Sequence, residues 1–214
     1  MPAVREKTAI FGGTFNPIHM GHIRIAHEVM EKGGLDRVLF VPAGVPPWKF
    51  SNKDLASAED RLHMVSLALE GEPGLKVTDL ELCRKGPSYT LDTVRILQQE
   101  NPEQDFCFLL GMDAMAGIRS WHGWEELLSL ISFWVMTRPD TPPGILERIL
   151  PEYSCEENRF FCSGRPEIRR ISVSPFTVSA TEIRLRISEG LPVTGLVPDR
   201  VDAYIRNRGL YAHV

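Results

Sequence analysis

No apolar run in the 214-residue chain is long enough to cross a bilayer. The longest, Leu127 to Met136, is ten residues with two serines among them, against the roughly 18 that a span needs. Near the N-terminus the apolar stretch Ala9-Ile10-Phe11 gives way at once to two glycines, too short for the core of a secretory signal. Cysteine is scarce: Cys83, Cys107, Cys155 and Cys162 form no C-x-x-C pair, so they read as free thiols of a reducing cytoplasm. A zinc site built on Cys155 and Cys162 has no matching second pair. Charge of one sign is lacking too, since 24 Lys and Arg face 28 Asp and Glu for a net −4, which argues against a nonspecific grip on nucleic acid. Internal repeats and low-complexity tracts are absent. What is left is a soluble globular protein of ordinary composition, 43% hydrophobic and 24% charged, whose length suits a single domain over residues 1–214.

Short runs rich in Val, Ile, Leu and Phe alternate with segments of helical spacing, the pattern of a parallel sheet covered by helices. Strands are expected at Thr8-Phe11, Arg37-Val41, Lys76-Thr78, Phe106-Leu110, Phe133-Met136 and Ile171-Val173. A helix is expected from about His19 to Lys32, with Ala26, Val29 and Met30 inward and Gly33-Gly34 as its stop. Another starts at Ser57, where Ser-x-x-Asp resembles a capping box and Leu62, Val65 and Leu69 give the apolar face. A third spans about Thr90 to Gln99. Prolines and a glycine between Pro139 and Gly144 break the pattern, and an irregular, variable connection is expected as far as Arg170. Helices from about Thr181 to Ile187 and from Pro198 to Asn207 close the chain.

The densest chemistry follows the first strand: Gly12-Gly13-Thr14-Phe15-Asn16-Pro17-Ile18-His19-Met20-Gly21-His22. Paired glycines let backbone approach a ligand, and the following helix would turn its N-terminal dipole toward an anion held there. The string is neither G-x-G-x-x-G nor G-x-x-x-x-G-K-[ST], and neither occurs elsewhere, so dehydrogenase and P-loop readings lose support. His19 and His22 are three apart, which places both imidazoles on one face of a first turn, within reach of phosphate oxygens. Two capping or packing histidines are the bland alternative, and zinc is weaker still because no H-E-x-x-H follows.

This string resembles the signature of the nucleotidyltransferase superfamily of adenylyl- and cytidylyltransferases, and Val178-Ser179-Ala180-Thr181-Glu182-Ile183-Arg184 resembles that superfamily's C-terminal motif. Further matches are Val41-Pro42 through Pro46-Pro47-Trp48-Lys49, Gly86 to Thr93, Gly111-Met112-Asp113-Ala114 with Trp121, Thr137-Arg138-Pro139, and the closing Leu196-Val197-Pro198 through Leu210-Tyr211. Together they make the chain similar, almost end to end, to bacterial nicotinate mononucleotide adenylyltransferases. Many members of that family carry His where this chain has Trp48 and Asp where it has Asn16; neither departure falls on a residue assigned to chemistry.

The resemblance implies an α/β fold, a Rossmann-like doubly wound parallel sheet with a small C-terminal helical portion. It implies adenylyl transfer from ATP to nicotinate mononucleotide. Gly12, Thr14 and Phe15 would approach ATP, with His19 and His22 on its phosphates and His22 the stronger catalytic candidate. Ser179, Thr181 and Arg184 would hold the β- and γ-phosphates, and Gly111 and Asp113 would border the adenosine ribose. Lys49 would neutralise the mononucleotide phosphate. Thr90 and the N–H of Leu91 would receive the pyridine carboxylate, Trp121 would stack on the ring, and His122 would also contact the mononucleotide. Mg²⁺ is expected with ATP, held by its phosphate oxygens and water without a dedicated protein ligand. A pantetheine-phosphate or nicotinamide-mononucleotide adenylyltransferase, a cytidylyltransferase and a noncatalytic nucleotide-binding regulator are the rival readings. A homo-oligomer stays open; a nucleic-acid polymer or a membrane is not expected as a partner.

Overall fold

In the computed structural model, which describes residues 5–47 and 55–212, strands and helices alternate as the hydrophobic pattern requires. In chain order they are β1 (Lys7–Gly13), α1 (Met20–Gly33), β2 (Arg37–Pro42), α2 (Ala58–Leu69), β3 (Leu75–Val77), α3 (Thr90–Glu100) and β4 (Asp105–Gly111). There follow α4 (Met112–Ala116), a 3-10 turn (Ile118–Ser120), α5 (Trp124–Leu130), β5 (Ser132–Thr137), α6 (Ile145–Ile149), β6 (Ser154–Glu156), β7 (Arg159–Phe161), β8 (Ile168–Ser172), α7 (Ala180–Ser188) and α8 (Asp199–Arg208). The strand order is β3-β2-β1-β4-β5-β8-β7-β6. Ile10 lies opposite Phe108, Phe108 opposite Phe133, and Val135 opposite Arg170 in parallel register, whereas β8, β7 and β6 pair antiparallel. This is the Rossmann-like, predominantly parallel arrangement with flanking helices. The chain leaves β1 toward β2 on one side and returns to β4 on the other, and open sheets of this kind bind ligands beyond the strand ends at such a switch.

The chain divides into two compact units. The first comprises residues up to Gly12, Glu28–Val38 and Tyr89–Pro175. Its central strand β4 is buried without interruption from Phe106 to Leu110, as a strand covered on both faces must be. Leu91, Val94 and Leu97 form the buried stripe of α3.

The second unit comprises Gly13–His27, Leu39–Ser88 and residues from Phe176 onward. Its core includes Ile18, Ile23, Ala26, Phe40, Met64, Val65, Ile183, Val201 and Ile205. The expected cap of α2 is present: Ser57 accepts the Asp60 N–H at 3.0 Å, and its hydroxyl donates back to the Asp60 carboxylate at 2.7 Å. That carboxylate also accepts from the Tyr204 hydroxyl at 2.8 Å and Arg208 Nε at 3.2 Å, which ties α8 to α2.

Element boundaries moved by one to three residues, and one expectation fails outright. The stretch 140–170 is not irregular: it holds α6, the β6–β7 hairpin and the start of β8. These pieces are three to five residues long, too short to show a period, and α6 and β7 each put a single residue into the core, Leu146 and Phe160. Among the described residues no helix is long and apolar enough to cross a membrane.

Candidate active site

In the second unit, the loop from Gly13 to His19 is folded by its own aromatic residue. Phe15 is buried with φ 47, and its ring meets His22 edge-on at 5.1 Å and Phe40 at 5.5 Å. A Cβ on Gly13 would come within 2.8 Å of that ring, so glycine there serves the packing of Phe15 as well as any ligand. Arg61, buried on α2, fixes the rest of the loop. Its guanidinium donates to the carbonyls of Thr14 at 2.8 Å, Gly44 at 3.1 Å and Ala56 at 3.1 Å. Three chain segments are thereby held by one cation.

Thr14, Phe15, Asn16, His22, Ala180, Thr181 and Arg184 line a cavity of about 210 Å³, smaller than the roughly 300–1,000 Å³ that encloses a drug-sized ligand. Its size suits phosphate groups better than a whole nucleotide. Arg184 Nη1 donates to the Asn16 carbonyl at 2.8 Å and Nη2 approaches the Thr181 hydroxyl at 3.4 Å, while its buried Nε has no hydrogen-bond partner among the described residues. An unsatisfied guanidinium N–H beside a hydroxyl and an imidazole is a donor set for an anion.

The two histidines occupy different places. His22 is half-buried and lines the cavity. His19 is buried, lies outside that lining, and packs its ring against that of His22 with centroids 3.7 Å apart. Burial brings His19 down to about 4; burial and then the neighbouring His19 hold His22 well below its usual range. Both are therefore neutral near pH 7. The His19 N–H donates to His22 Nδ1 at 3.2 Å, so the proton of neutral His22 sits on Nε2. The expected helix amides are less available than the sequence suggests, because Met20 N–H is taken by the Leu196 carbonyl and His22 N–H by that of His19, both at 2.9 Å.

Ser179 caps α7 by accepting the Glu182 N–H at 3.1 Å and is not among the lining residues. Asn16, which sequence reasoning left outside the chemistry, is among them. Arg61 carried no recognisable signal, since a lone arginine in a helix is ordinarily a surface residue, whereas Asn16 stood inside the Gly12 to His22 motif without being assigned to the chemistry.

The first unit holds the remaining assigned residues that the structure describes. Gly12 lies against Phe108, and Gly111 caps α4. Asp113 is exposed in the first turn of α4 rather than at its cap. Thr90 opens α3 and Leu91 is buried. Gly123 has φ 62, and a Cβ there would strike Leu91 at 2.4 Å, so the 121–124 loop packs on the start of α3. Trp121 is half-buried, edge-on to Phe108 at 6.1 Å, and His122 stacks on Tyr89 with centroids 4.3 Å apart. Thr90, Leu91, Trp121 and His122 thus gather in one neighbourhood, with Tyr89 as an unforeseen member. Lys49 and Trp48 lie outside the described residues.

A strand–glycine–imidazole loop followed by a late Thr-x-x-Arg helix defines a nucleotidyltransferase of Rossmann-like fold, and residues 10–186 match the family described as Cytidylyltransferase-like. The nicotinate-nucleotide adenylyltransferase of Bacillus subtilis (strain 168) is 36% identical over 96% of this chain and 98% of its own. The protein named probable nicotinate-nucleotide adenylyltransferase from Pseudomonas entomophila (strain L48) is 42% identical over 98% of this chain and 96% of its own. Among solved structures, the Plasmodium falciparum nicotinic acid mononucleotide adenylyltransferase complexed with NaAD shares the fold with a TM-score of 0.76 at 19% identity, over 98% of this chain and 99% of that one. The chain belongs to the nicotinate-nucleotide adenylyltransferase family and is a nucleotidyltransferase enzyme.

Proposed function

We propose that the chain transfers the adenylyl group of ATP to nicotinate mononucleotide, forming nicotinate adenine dinucleotide and pyrophosphate. An oxygen of the mononucleotide 5′-phosphate attacks the α-phosphorus in line, and the bond from that phosphorus to the bridging oxygen of the β-phosphate breaks. The nucleophile is already ionised, so alignment and neutralisation of charge carry the catalysis and no strong base is required. The observation that carries this reading is the cavity in which His22, Thr181 and Arg184 converge. Arg184 and Thr181 bind the β- and γ-phosphates, with Ser179 closing the first turn of their helix. His22 donates Nε2–H to a phosphate oxygen, and Thr14 and Phe15 shape the wall.

Gly12, Gly111 and Asp113 are assigned to the nucleotide, the latter two to its ribose, and Lys49 to the mononucleotide phosphate. Thr90 and the Leu91 N–H receive the pyridine carboxylate, and Trp121 stacks on the ring beside His122. His19 acts on the phosphates through His22, against which it packs. Among the described residues that line the cavity none is a carboxylate, so its donors suit anions and do not make a cage for Mg²⁺. The ion is assigned to the incoming ATP, whose phosphate oxygens and water hold it.

The test is pyrophosphate release with ATP, Mg²⁺ and either nicotinate or nicotinamide mononucleotide, with phosphopantetheine and CTP as controls. The acid nucleotide with ATP should give the highest kcat/KM, because an amide offers an NH₂ where two donors expect an anion. Equal kcat/KM for acid and amide removes the carboxylate assignment. No turnover with any of them removes the proposed reaction.

A further inference from the structure

Tyr211 follows the end of α8 and has φ 64, the left-handed region that a residue with a β-carbon ordinarily avoids. Such a conformation persists where surrounding contacts over-determine it. Here the residue is 7% exposed, and the hydroxyl donates to Asn16 Oδ1 at 2.8 Å. The same oxygen accepts the Ala56 N–H at 3.0 Å. Burial pushes the phenol up, so the hydroxyl stays protonated and remains a donor at working pH.

Asn16 is thus held by its side chain, and its main-chain carbonyl accepts Arg184 Nη1 at 2.8 Å. A guanidinium is a rigid planar fork; with one prong fixed on the Asn16 carbonyl, a shift of residue 16 turns the whole group. Asn16 and Arg184 line the cavity, whereas Tyr211 does not. All of these residues lie in the second unit.

We propose that Tyr211 is a positioning residue for the polyphosphate: its hydroxyl fixes the Asn16 side chain, and through the Asn16 carbonyl sets the orientation of Arg184. The proposal rests on the assignment of Arg184 to the ATP phosphates. It adds that the last turn of the chain tunes ATP binding from outside the cavity.

Tyr211→Phe removes the oxygen alone. ATP and mononucleotide dissociation constants are measured by calorimetry for wild type, Tyr211→Phe, Arg184→Ala and the double variant. Losing one buried hydrogen bond corresponds to about three- to tenfold, so Tyr211→Phe should weaken ATP by that factor while mononucleotide binding stays within about twofold. In the Arg184→Ala background the Tyr211→Phe effect should vanish, since contacting residues are coupled. Wild-type ATP affinity in folded Tyr211→Phe overturns the proposal, as does an equal loss in both backgrounds or a matching loss for the mononucleotide. Wild-type protein that binds no ATP, or Arg184→Ala that binds it normally, overturns the Arg184 assignment itself and this inference with it. A second measurement needs no variant: saturating ATP should slow hydrogen exchange at residues 209–212 of the wild-type protein, and unchanged exchange there counts against the coupling.

Discussion

Acid should destabilise this protein well above the range in which carboxylates titrate, and the share owed to His19 can be worked out. Burial lowers its pKa from the ordinary 6.5 to about 4. Between those values the unfolded chain binds a proton that the folded chain refuses, so stability is complete above about pH 6.5 and falls as pH drops toward 4. At about 1.4 kcal/mol per pH unit the full loss is about 3 kcal/mol, of which about 2 kcal/mol is reached by pH 5. His22, held low for the same reason and by His19 itself, adds in the same direction. Glu28 and Asp60 are also lowered, from 4.5 and 3.8: burial alone would raise them, but their hydrogen-bond and cationic partners outweigh it, so their contributions are lost only at lower pH. Urea unfolding at pH 7.5 and 5.0 reads the difference. His19→Gln has no imidazole to protonate and should lose about 2 kcal/mol less than wild type over that interval. An equal pH loss in wild type and variant would refute the buried, neutral His19.

His22→Ala should lower kcat by about 10²–10³ in a folded protein, the scale of one preorganised donor to developing charge, and retention of more than a tenth of the rate in steady-state assays removes it from the mechanism. Arg61→Leu leaves the carbonyls of Thr14, Gly44 and Ala56 without their donor and should cost about 3–5 kcal/mol in urea unfolding. Arg61→Lys should recover only part of that, because an ammonium does not reproduce the fork. Trp121→Ala should raise KM for the mononucleotide about two- to tenfold, the worth of an aromatic stack, with KM for ATP unchanged; a general loss of thermal stability instead would identify Trp121 as a packing residue.

The parallel part of the fold was legible because its strands are runs of five or so apolar residues between amphipathic helices, so burial on both faces is written into β4 and β5. The Gly-Gly loop and the Thr181-x-x-Arg184 turn were legible because their chemistry is local: each is a few adjacent residues. What escaped depends on tertiary partners. Arg61 looks like a helix-surface cation until Thr14, Gly44 and Ala56 arrive around it. Asn16 gains its place only when Tyr211, 195 positions away, reaches it. The pairing of two histidines on one face was readable, but not that His22 would face the cavity while His19 lay behind it, since one helical turn presents both alike.

The sheet ends at both sides in strands of three residues, β3 and β6. A strand so short offers an incoming chain only a register's worth of open N–H and C=O groups, and at its end Glu156 pairs with Arg159 across the tight turn at Glu157 and Asn158, which leaves a guest little edge on which to dock. Sheet extension is therefore a poor route to assembly for this molecule. The large apolar side chains left in water lie elsewhere, Leu185 on α7 and Leu191 in the loop after it, and a misfolded neighbour would find little to copy at either border.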